Sequence, residues 1–275
     1  MADIRNKIGK EKCAELLNAS LEIADEIREI VLAKIISGFE VQVKSDNTVV
    51  TDVDMEVESL FRQRIHEKYP DHGIIGEEFA VENKDADFQW LIDPIDGTEE
   101  FIHHIPTYGT IIGLNYKDSP IVGMMDHPTL NARIYGAYKA GAFYNDKKIL
   151  MSENKTAELL AGRERIFVPP FASFLKWSDE GNLFDRVVRS FPNIRIFHGC
   201  YAYTLAITGG AAAMVEYNVK IWDLAASQIL AEEAGGAFQL IQRQPRPNGI
   251  VSYGAVFGRK EIVEKLVKLF PEMNA

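Results

Sequence analysis

The sequence contains little of what marks several specialised classes of protein. Only two cysteines occur, Cys13 and Cys200, so a disulfide framework is excluded as the main source of stability and a reducing compartment is expected. No apolar run reaches the roughly 18 residues that a membrane-spanning helix needs. The first residues are too charged for the apolar core of a secretory signal. These absences predict a soluble, cytoplasmic protein with no membrane partner.

Basic residues are also in short supply. Lysine and arginine number 30 against 40 aspartates and glutamates, which gives a formal net charge of −10 at pH 7. Proteins that bind nucleic acid usually carry a basic excess, because they neutralise phosphates, so no nucleic-acid partner is expected. Carboxylates that collect in one cleft attract metal cations instead.

What is present is typical of a folded globular protein. The chain has 275 residues, of which 47% are hydrophobic and 25% charged, and no internal repeat is visible. This length predicts either one large domain or two closely packed ones. A polar, weakly patterned stretch after residue 150 predicts an N-terminal half over residues 1–150 and a C-terminal half over residues 151–275.

The spacing of apolar residues predicts interleaved helices and strands. Helices are predicted over residues 10–36, 55–69, 201–208, 224–234 and 260–270. Strands of a mostly antiparallel sheet are predicted over residues 90–92, 109–116, 121–125 and 133–138, with a hairpin region at 139–146. Two further strands are predicted over residues 165–168 and 194–197. Because no regular strand–helix–strand rhythm appears, a layered α+β fold is favoured over a doubly wound parallel sheet.

The most informative segment is WLIDPIDGT at residues 90–98. A strand-like run ends in Asp93 and Asp96, with Pro94 and Gly97 shaping a sharp turn. Such a turn can aim two carboxylates and a carbonyl at one point, and Mg²⁺ prefers oxygen ligands of that kind. The amides that follow the turn can bind a phosphate. The alternative is an ordinary surface turn.

Three more acidic segments have both a functional and a plain structural interpretation. Glu77 and Glu78 follow an apolar strand, so one of them faces any metal, or both are solvated. Asp223 precedes a predicted helix and is either a ligand or a helix cap. The polar run at 44–54 predicts a mobile loop, with Asp54 as a helix cap at its end.

In their order and spacing, the segments GEE at 76–78, WLIDPIDGT at 90–98 and WDLAA at 222–226 resemble the three motifs of the inositol monophosphatase superfamily. The run at 44–54 is similar to that family's mobile, lysine-containing loop. The resemblance implies a layered α-β-α-β-α sandwich, a homodimer and two or three Mg²⁺ ions per site. The activity it implies is hydrolysis of a small phosphorylated metabolite by metal-activated water.

The resemblance also implies residue roles. Glu77, Asp93 and the carbonyl of Ile95 match the ligands of one Mg²⁺. Asp93, Asp96 and Asp223 match those of a second, and Glu77 matches a ligand of a third, loosely held ion.

Roles in catalysis and substrate binding are implied in the same way. Asp54 and Thr98 match residues that position and activate the attacking water, which with Glu77 makes up the implied catalytic set. The residues matched to substrate and phosphate contacts are Gly97, Thr98, Glu216, Asp96 and Asp223.

The segments at 76–79, 106–110 and 200–203 are closer to the histidinol-phosphatase branch than to the inositol branch, so L-histidinol phosphate is the expected substrate. That branch often carries an acid immediately before its Cys-Tyr pair, where this sequence has Gly199. Inositol monophosphate is the alternative substrate. A different class of function, a non-catalytic partner of the transcription machinery, also stays open.

Overall fold

The structure is a computed structural model of the chain, and it describes residues 3–44, 48–151, 162–175, 181–245 and 251–270. Within these ranges the fold is α+β, with two large sheets, one two-stranded sheet and three layers of helices. None of the helices in these ranges combines the length and the apolar character needed to cross a membrane.

Two helices and a short hairpin begin the chain. They are α1 (Lys10–Ser37), β1 (Val41–Val43), β2 (Val49–Thr51) and α2 (Asp52–Lys68), after a 3-10 turn at Ile4–Lys7. The prediction for α1 is confirmed to within one residue. The predicted loop at 44–54 is wrong in its described part, because β2 pairs with β1 and α2 follows at once. Residues 45–47 lie outside the described residues.

The N-cap of α2 is Thr51, and not Asp54, the helix cap predicted from the sequence. The Thr51 side chain accepts hydrogen bonds from the backbone N–H groups of Val53 and Asp54, while the Asp54 carboxylate accepts one from the Thr51 N–H. This reciprocal capping box explains why the helix starts before the predicted residue 55.

The first sheet has seven strands, which lie side by side in the order of the chain. The short helix α3 (Thr98–Ile102) connects β4 to β5, and a 3-10 turn at Pro128–Leu130 connects β6 to β7. The strands are β3 (Gly73–Gly76), β4 (Phe88–Asp96), β5 (Gly109–Tyr116), β6 (Ser119–His127), β7 (Ala132–Ala137), β8 (Gly141–Tyr144) and β9 (Lys147–Ile149). Only β3 and β4 pair in parallel, so the predicted, mostly antiparallel sheet is confirmed.

The second sheet has five described strands in the order β11-β10-β12-β14-β13. They are β10 (Arg165–Val168), β11 (Asn193–Ile196), β12 (Ala213–Val219), β13 (Ala237–Pro245) and β14 (Val251–Gly258). The helices around them are α4 (Phe171–Leu175), α5 (Gly181–Ser190), α6 (Cys200–Thr208), α7 (Ser227–Glu233) and α8 (Lys260–Val267). Strands β12, β13 and β14 were not predicted from the sequence.

Packing arranges these elements in five layers. Helices α1 and α2 pack on the first sheet, α6 and α7 contact both sheets, and α4 and α8 pack on the second sheet with α5 beside them. One apolar core runs from α1 through the first sheet to α6 and α7. The division of the chain at residue 150 stays a prediction, because this core contains residues from both halves.

Two glycines let the middle helices approach the first sheet closely. Gly113 on β5 and Gly123 on β6 are register partners. A Cβ added to Gly113 would lie 2.5 Å from the carbonyl oxygen of Ala225, and one added to Gly123 would lie 2.6 Å from Cγ2 of Ile229. The small residues of the WDLAA segment therefore pack directly on the sheet that carries Asp93.

Candidate metal centre

Three aspartates from two parts of the fold meet at one point. Asp93 and Asp96 lie at the end of β4, and Asp223 lies in the turn before α7. In a regular strand, residues three apart point to opposite faces. The pairing register between β4 and β5 shifts between Asp93 and Asp96, and this irregularity lets both carboxylates reach the same side. One oxygen from each aspartate lies within 4.8 Å of those of the other two.

Each carboxylate is held differently. Oδ2 of Asp96 accepts a 2.5 Å hydrogen bond from the backbone N–H of Cys200, the first residue of α6. Oδ2 of Asp223 accepts one from the N–H of Lys220 at 2.7 Å. Oδ1 of Asp93 is buried and has no hydrogen-bond partner among the described residues. The helix-cap interpretation of Asp223 is wrong, since the N-cap of α7 is Ala226.

Burial and mutual repulsion disfavour the charged forms of these aspartates. Burial is the main cause of a raised pKa at Asp93, Asp96 and Asp223, and the charges of neighbouring acids raise the pKa of Asp93 and Asp223 further. A divalent cation would remove both penalties at once. The donors are all oxygen, one of them is an unpaired buried carboxylate oxygen, and such a set fits Mg²⁺.

Glu77 lies next to this group rather than inside it. It follows β3, and it is not one of the three acids whose oxygens lie within 4.8 Å of one another. Burial first, and then the charge of Glu78, raise the pKa of Glu77 to about 7. Glu77 in turn raises the pKa of Asp93. Glu78 is paired with Lys44, whose Nζ lies 2.7 Å from Oε2 of Glu78 and 3.5 Å from Oε1 of Glu77.

Two further predicted residues, Gly97 and Thr98, directly follow β4, and a third, Asp54, lies at the start of α2. Gly97 has φ +85° and is the N-cap of α3. Thr98 Oγ1 donates a 3.1 Å hydrogen bond to the carbonyl of Ile95. Asp54 is buried at the start of α2, and burial raises its pKa to about 6. The catalytic and phosphate-binding roles of these residues stay predictions.

The Glu216 side chain is buried more deeply than one that contacts a substrate from the protein surface. It lies on β12 and is 1% exposed. Its carboxylate accepts hydrogen bonds from the Tyr203 hydroxyl at 2.8 Å and from the Tyr217 N–H at 3.0 Å. Burial raises its pKa to about 7. A substrate contact of Glu216 therefore stays a prediction.

The comparison with protein families matches this arrangement to a known group. A model described as "Inositol monophosphatase family" matches residues 12–274, which is nearly the whole chain. The chain belongs to the inositol monophosphatase family. The resemblance drawn from the three motifs is thus confirmed.

Individual relatives are similar over most of their length. A histidinol-phosphatase of Chlorobaculum parvum is 32% identical over 254 residues, which cover 90% of this chain and 95% of that protein. Inositol monophosphatase 1 of Homo sapiens is 30% identical over 241 residues, covering 84% and 85%. The solved structure of an inositol monophosphatase from Anabaena (Nostoc) sp. PCC 7120 has a TM-score of 0.76 at 21% identity, covering 94% of this chain and 98% of that one. This last likeness confirms the layered fold.

In this inositol monophosphatase family member, sequence reasoning missed Glu58. Its side chain is 0% exposed on α2 and accepts hydrogen bonds from Arg62 Nη2 at 2.7 Å, the Glu78 N–H at 2.8 Å and the Phe79 N–H at 3.2 Å. A Cβ on Gly76 would lie 2.1 Å from Glu58 Oε1. Glu58 thus holds the turn that carries Glu77.

A sequence signal for Glu58 does exist. Glu58 and Arg62 are an acid–base pair one helical turn apart, on the same face of α2 as the apolar residues Phe61 and Ile65. A charged residue on an apolar face indicates a buried polar partner.

Proposed function

We propose that the protein is a Mg²⁺-dependent phosphatase that hydrolyses a small phosphate monoester, with L-histidinol phosphate as its substrate. The observation that carries the proposal is the group of Asp93, Asp96 and Asp223, in which Asp93 is buried with an unpaired carboxylate oxygen and the other two side chains are half-buried. Three acids converge inside the protein at the cost of desolvation and repulsion, which a cation would offset. Membership of a phosphatase family supports the same reaction class.

We assign one Mg²⁺ to Asp93, Asp96 and Asp223, and another to Glu77, Asp93 and the carbonyl of Ile95. When bound, the ions supply positive charge that offsets the phosphate dianion, activates water and stabilises the departing alkoxide. The acids would hold the ions where the end of β4 meets the turn before α7.

We assign the attacking water to Asp54 and the substrate phosphate to Gly97 and Thr98. Thr51 donates to Oδ2 of Asp54 through both its N–H and its hydroxyl, and we assign the other carboxylate oxygen to the attacking water. The raised pKa of Asp54, about 6, suits a group that accepts a proton near neutral pH. The amides of Gly97 and Thr98 follow the turn and are assigned to phosphate oxygens.

The choice of substrate rests on the segments at 76–79, 106–110 and 200–203 and on the similarity to a protein named histidinol-phosphatase. Gly199 has φ +81°, and a Cβ there would lie 3.1 Å from Oδ2 of Asp96, so this position does not readily take an acidic side chain. Glu216, a buried carboxylate on β12, is the one that we assign to the substrate ammonium group.

The test is release of inorganic phosphate from L-histidinol phosphate and from inositol 1-phosphate, with Mg²⁺ and with a chelator. We expect Mg²⁺-dependent turnover that prefers L-histidinol phosphate. Asp93→Asn and Asp223→Asn should each lower kcat by about 100-fold or more, because charge stabilisation at the reacting group is lost. Asp118→Asn, an exposed aspartate between β5 and β6, is the matched control and should keep full activity.

Other outcomes separate the alternatives. Preferential hydrolysis of inositol 1-phosphate would replace the substrate but keep the reaction class. Full activity in folded Asp93→Asn would refute the metal assignment. A protein that releases no phosphate, and captures transcription proteins equally well after Asp93→Asn, would favour the non-catalytic partner. We also propose a cytoplasmic homodimer, from the family resemblance alone, and light scattering of the purified protein tests the dimer.

A further inference from the structure

A cavity lined largely by arginine lies at the edge of the second sheet. Its volume is about 450 Å³, and its lining residues are Arg163, Arg165, Pro192, Asn193 and Arg195. We call it the arginine cavity. Its size falls within the range of small-ligand pockets. None of these five residues belongs to the candidate metal centre.

The strand register explains why the arginines meet. Strands β10 and β11 are parallel, with Arg165 opposite Asn193 and Phe167 opposite Arg195. Residues two apart on a strand, and their cross-strand partners, project from the same face. Arg165, Asn193 and Arg195 therefore share one face, and Arg163 lies just before β10. The intervening Ile166 projects from the opposite face, into an apolar cluster that also contains Val168 and Val187.

Within the part of the chain that the structure describes, the lining of this cavity contains no acidic residue. Elsewhere in the described ranges, arginines such as Arg5, Arg28 and Arg64 form ion pairs with carboxylates. No ion pair is found for Arg163, Arg165 or Arg195 within those ranges. A second described cavity contains Arg62 beside Glu67 and Glu82, and a third contains Arg28 and Arg133 beside Asp25 and Asp146.

The hydrogen bonds of the lining side chains leave most guanidinium donors available. Asn193 donates Nδ2 to the carbonyl of Arg163 at 3.0 Å, and Arg195 donates Nη1 to the carbonyl of Ile194 at 2.7 Å. The nearest acid in sequence, Glu164, accepts from the Gly162 N–H and faces Arg259 at 4.0 Å. Among the described residues, three arginines thus line one cavity without a carboxylate partner, on a protein of net charge −10.

We propose that the arginine cavity binds a small anion that carries a phosphate or diphosphate group. Guanidinium groups bind phosphate oxygens through paired hydrogen bonds, and three of them match the two or three charges of such a group. A long nucleic-acid strand fits less well, because it needs an extended row of basic residues, and these arginines are confined to β10, β11 and the residues just before β10. The site needs no metal, unlike the acidic centre, and does not depend on the proposed phosphatase activity.

The test is calorimetric titration of the full-length protein with inorganic pyrophosphate in excess EDTA and about 0.15 M chloride, which screens weak surface binding. EDTA removes divalent cations, so the acidic centre repels anions. We expect saturable binding of one pyrophosphate per chain. Arg165→Gln/Arg195→Gln should weaken it at least tenfold, since charge-assisted hydrogen bonds from two guanidinium groups to the anion are lost.

Two variants make the result specific. Arg243→Gln removes an exposed arginine from β13, the opposite edge strand of the same sheet, and should leave pyrophosphate binding unchanged. Asp93→Asn should also leave it unchanged. If the double variant fails to fold, the exposed Arg163→Gln decides, with a severalfold loss expected.

Three outcomes would overturn the proposal: wild-type protein that shows no saturable binding, variants at the cavity that bind as well as wild type, or equal loss in Arg243→Gln. Binding of a short RNA without binding of pyrophosphate would likewise overturn it, in favour of a polyanion surface.

Discussion

At the residue scale, the site depends on side chains that are costly to bury. Asp93 keeps an unpaired oxygen inside the protein, and Glu58 keeps a full carboxylate there by accepting from Arg62 and from two backbone N–H groups. The first cost is offset by a bound cation or by protonation, whereas the second is offset by hydrogen bonds within the protein. Asp93 and Glu58 therefore differ in what their removal should do.

Glu58→Gln tests the positioning of the turn that carries Glu77. The amide keeps the shape but loses charge-assisted hydrogen bonds to the turn, so Glu77 should be held less well. We expect the Mg²⁺ concentration for half-maximal phosphate release to rise about tenfold, with kcat at saturating Mg²⁺ changed much less. Glu67→Gln, an exposed acid on the same helix, is the control. An unaltered Mg²⁺ dependence in folded Glu58→Gln would argue against a positioning role.

Sequence alone led to the three aspartates because their motifs are local and specific. It did not lead to the partners that orient them. The hydrogen bond from the Cys200 N–H to Asp96 joins residues that are 104 positions apart, and no local sequence pattern around either residue predicts it. Glu58 carried a signal in its helix face, but its partner, the turn after Gly76, is visible only once α2 packs beside β3.

At the element scale, the position of Asp223 depends on how closely the middle helices pack on the first sheet. Gly113→Ala would place a methyl group 2.5 Å from the Ala225 carbonyl oxygen, so the backbone after Asp223 must move. We expect a loss of about 1–3 kcal/mol in unfolding free energy from overpacking. Urea denaturation measures this.

The same displacement should weaken catalysis. Phosphate release by Gly113→Ala, measured where the protein is fully folded, should fall because the Asp223 carboxylate shifts away from Asp93. Wild-type activity in a destabilised but folded variant would show that the Asp223 turn moves independently of the sheet.

Elements with a clean apolar period were predictable, and those shaped by tertiary contacts were not. Helix α1 and strand β5 agree with their predicted bounds to within a residue. Helix α7 begins at Ser227 rather than at residue 224, because the Asp223 carboxylate faces the aspartate group and does not cap the helix. Strands β12 and β14 were missed because their small residues, such as Ala213 and Gly254, lower the local strand signal.

At the scale of the whole molecule, stability should depend on pH through the acidic centre. The pKa values of Asp54 and Glu77 are raised to about 6 and 7, and those of the three aspartates are raised as well. Between pH of roughly 4 and 7, the folded state then holds more protons at these sites than the unfolded state. Their contribution to the unfolding free energy therefore falls as pH rises through this range.

Thermal denaturation in EDTA at pH 5.5 and 8 measures this effect. The melting temperature of the wild type should fall more between these pH values than that of Asp93→Asn, which lacks the central charge. Added Mg²⁺ should restore the wild type at pH 8, because binding a cation stabilises the folded state. Parallel profiles for the two proteins would contradict the electrostatic origin.

The acidic centre draws its carboxylates from chain segments far apart, at the end of β4 and after β12, with α6 holding one of them. A ribosome-bound chain that has emerged only as far as β9 carries Asp93 and Asp96 but lacks both the amide of Cys200 and the carboxylate of Asp223. Under the proposed metal assignment, a divalent ion is therefore bound only after Cys200 and Asp223 have been synthesised, and a polypeptide truncated before them should neither bind magnesium at this centre nor release phosphate.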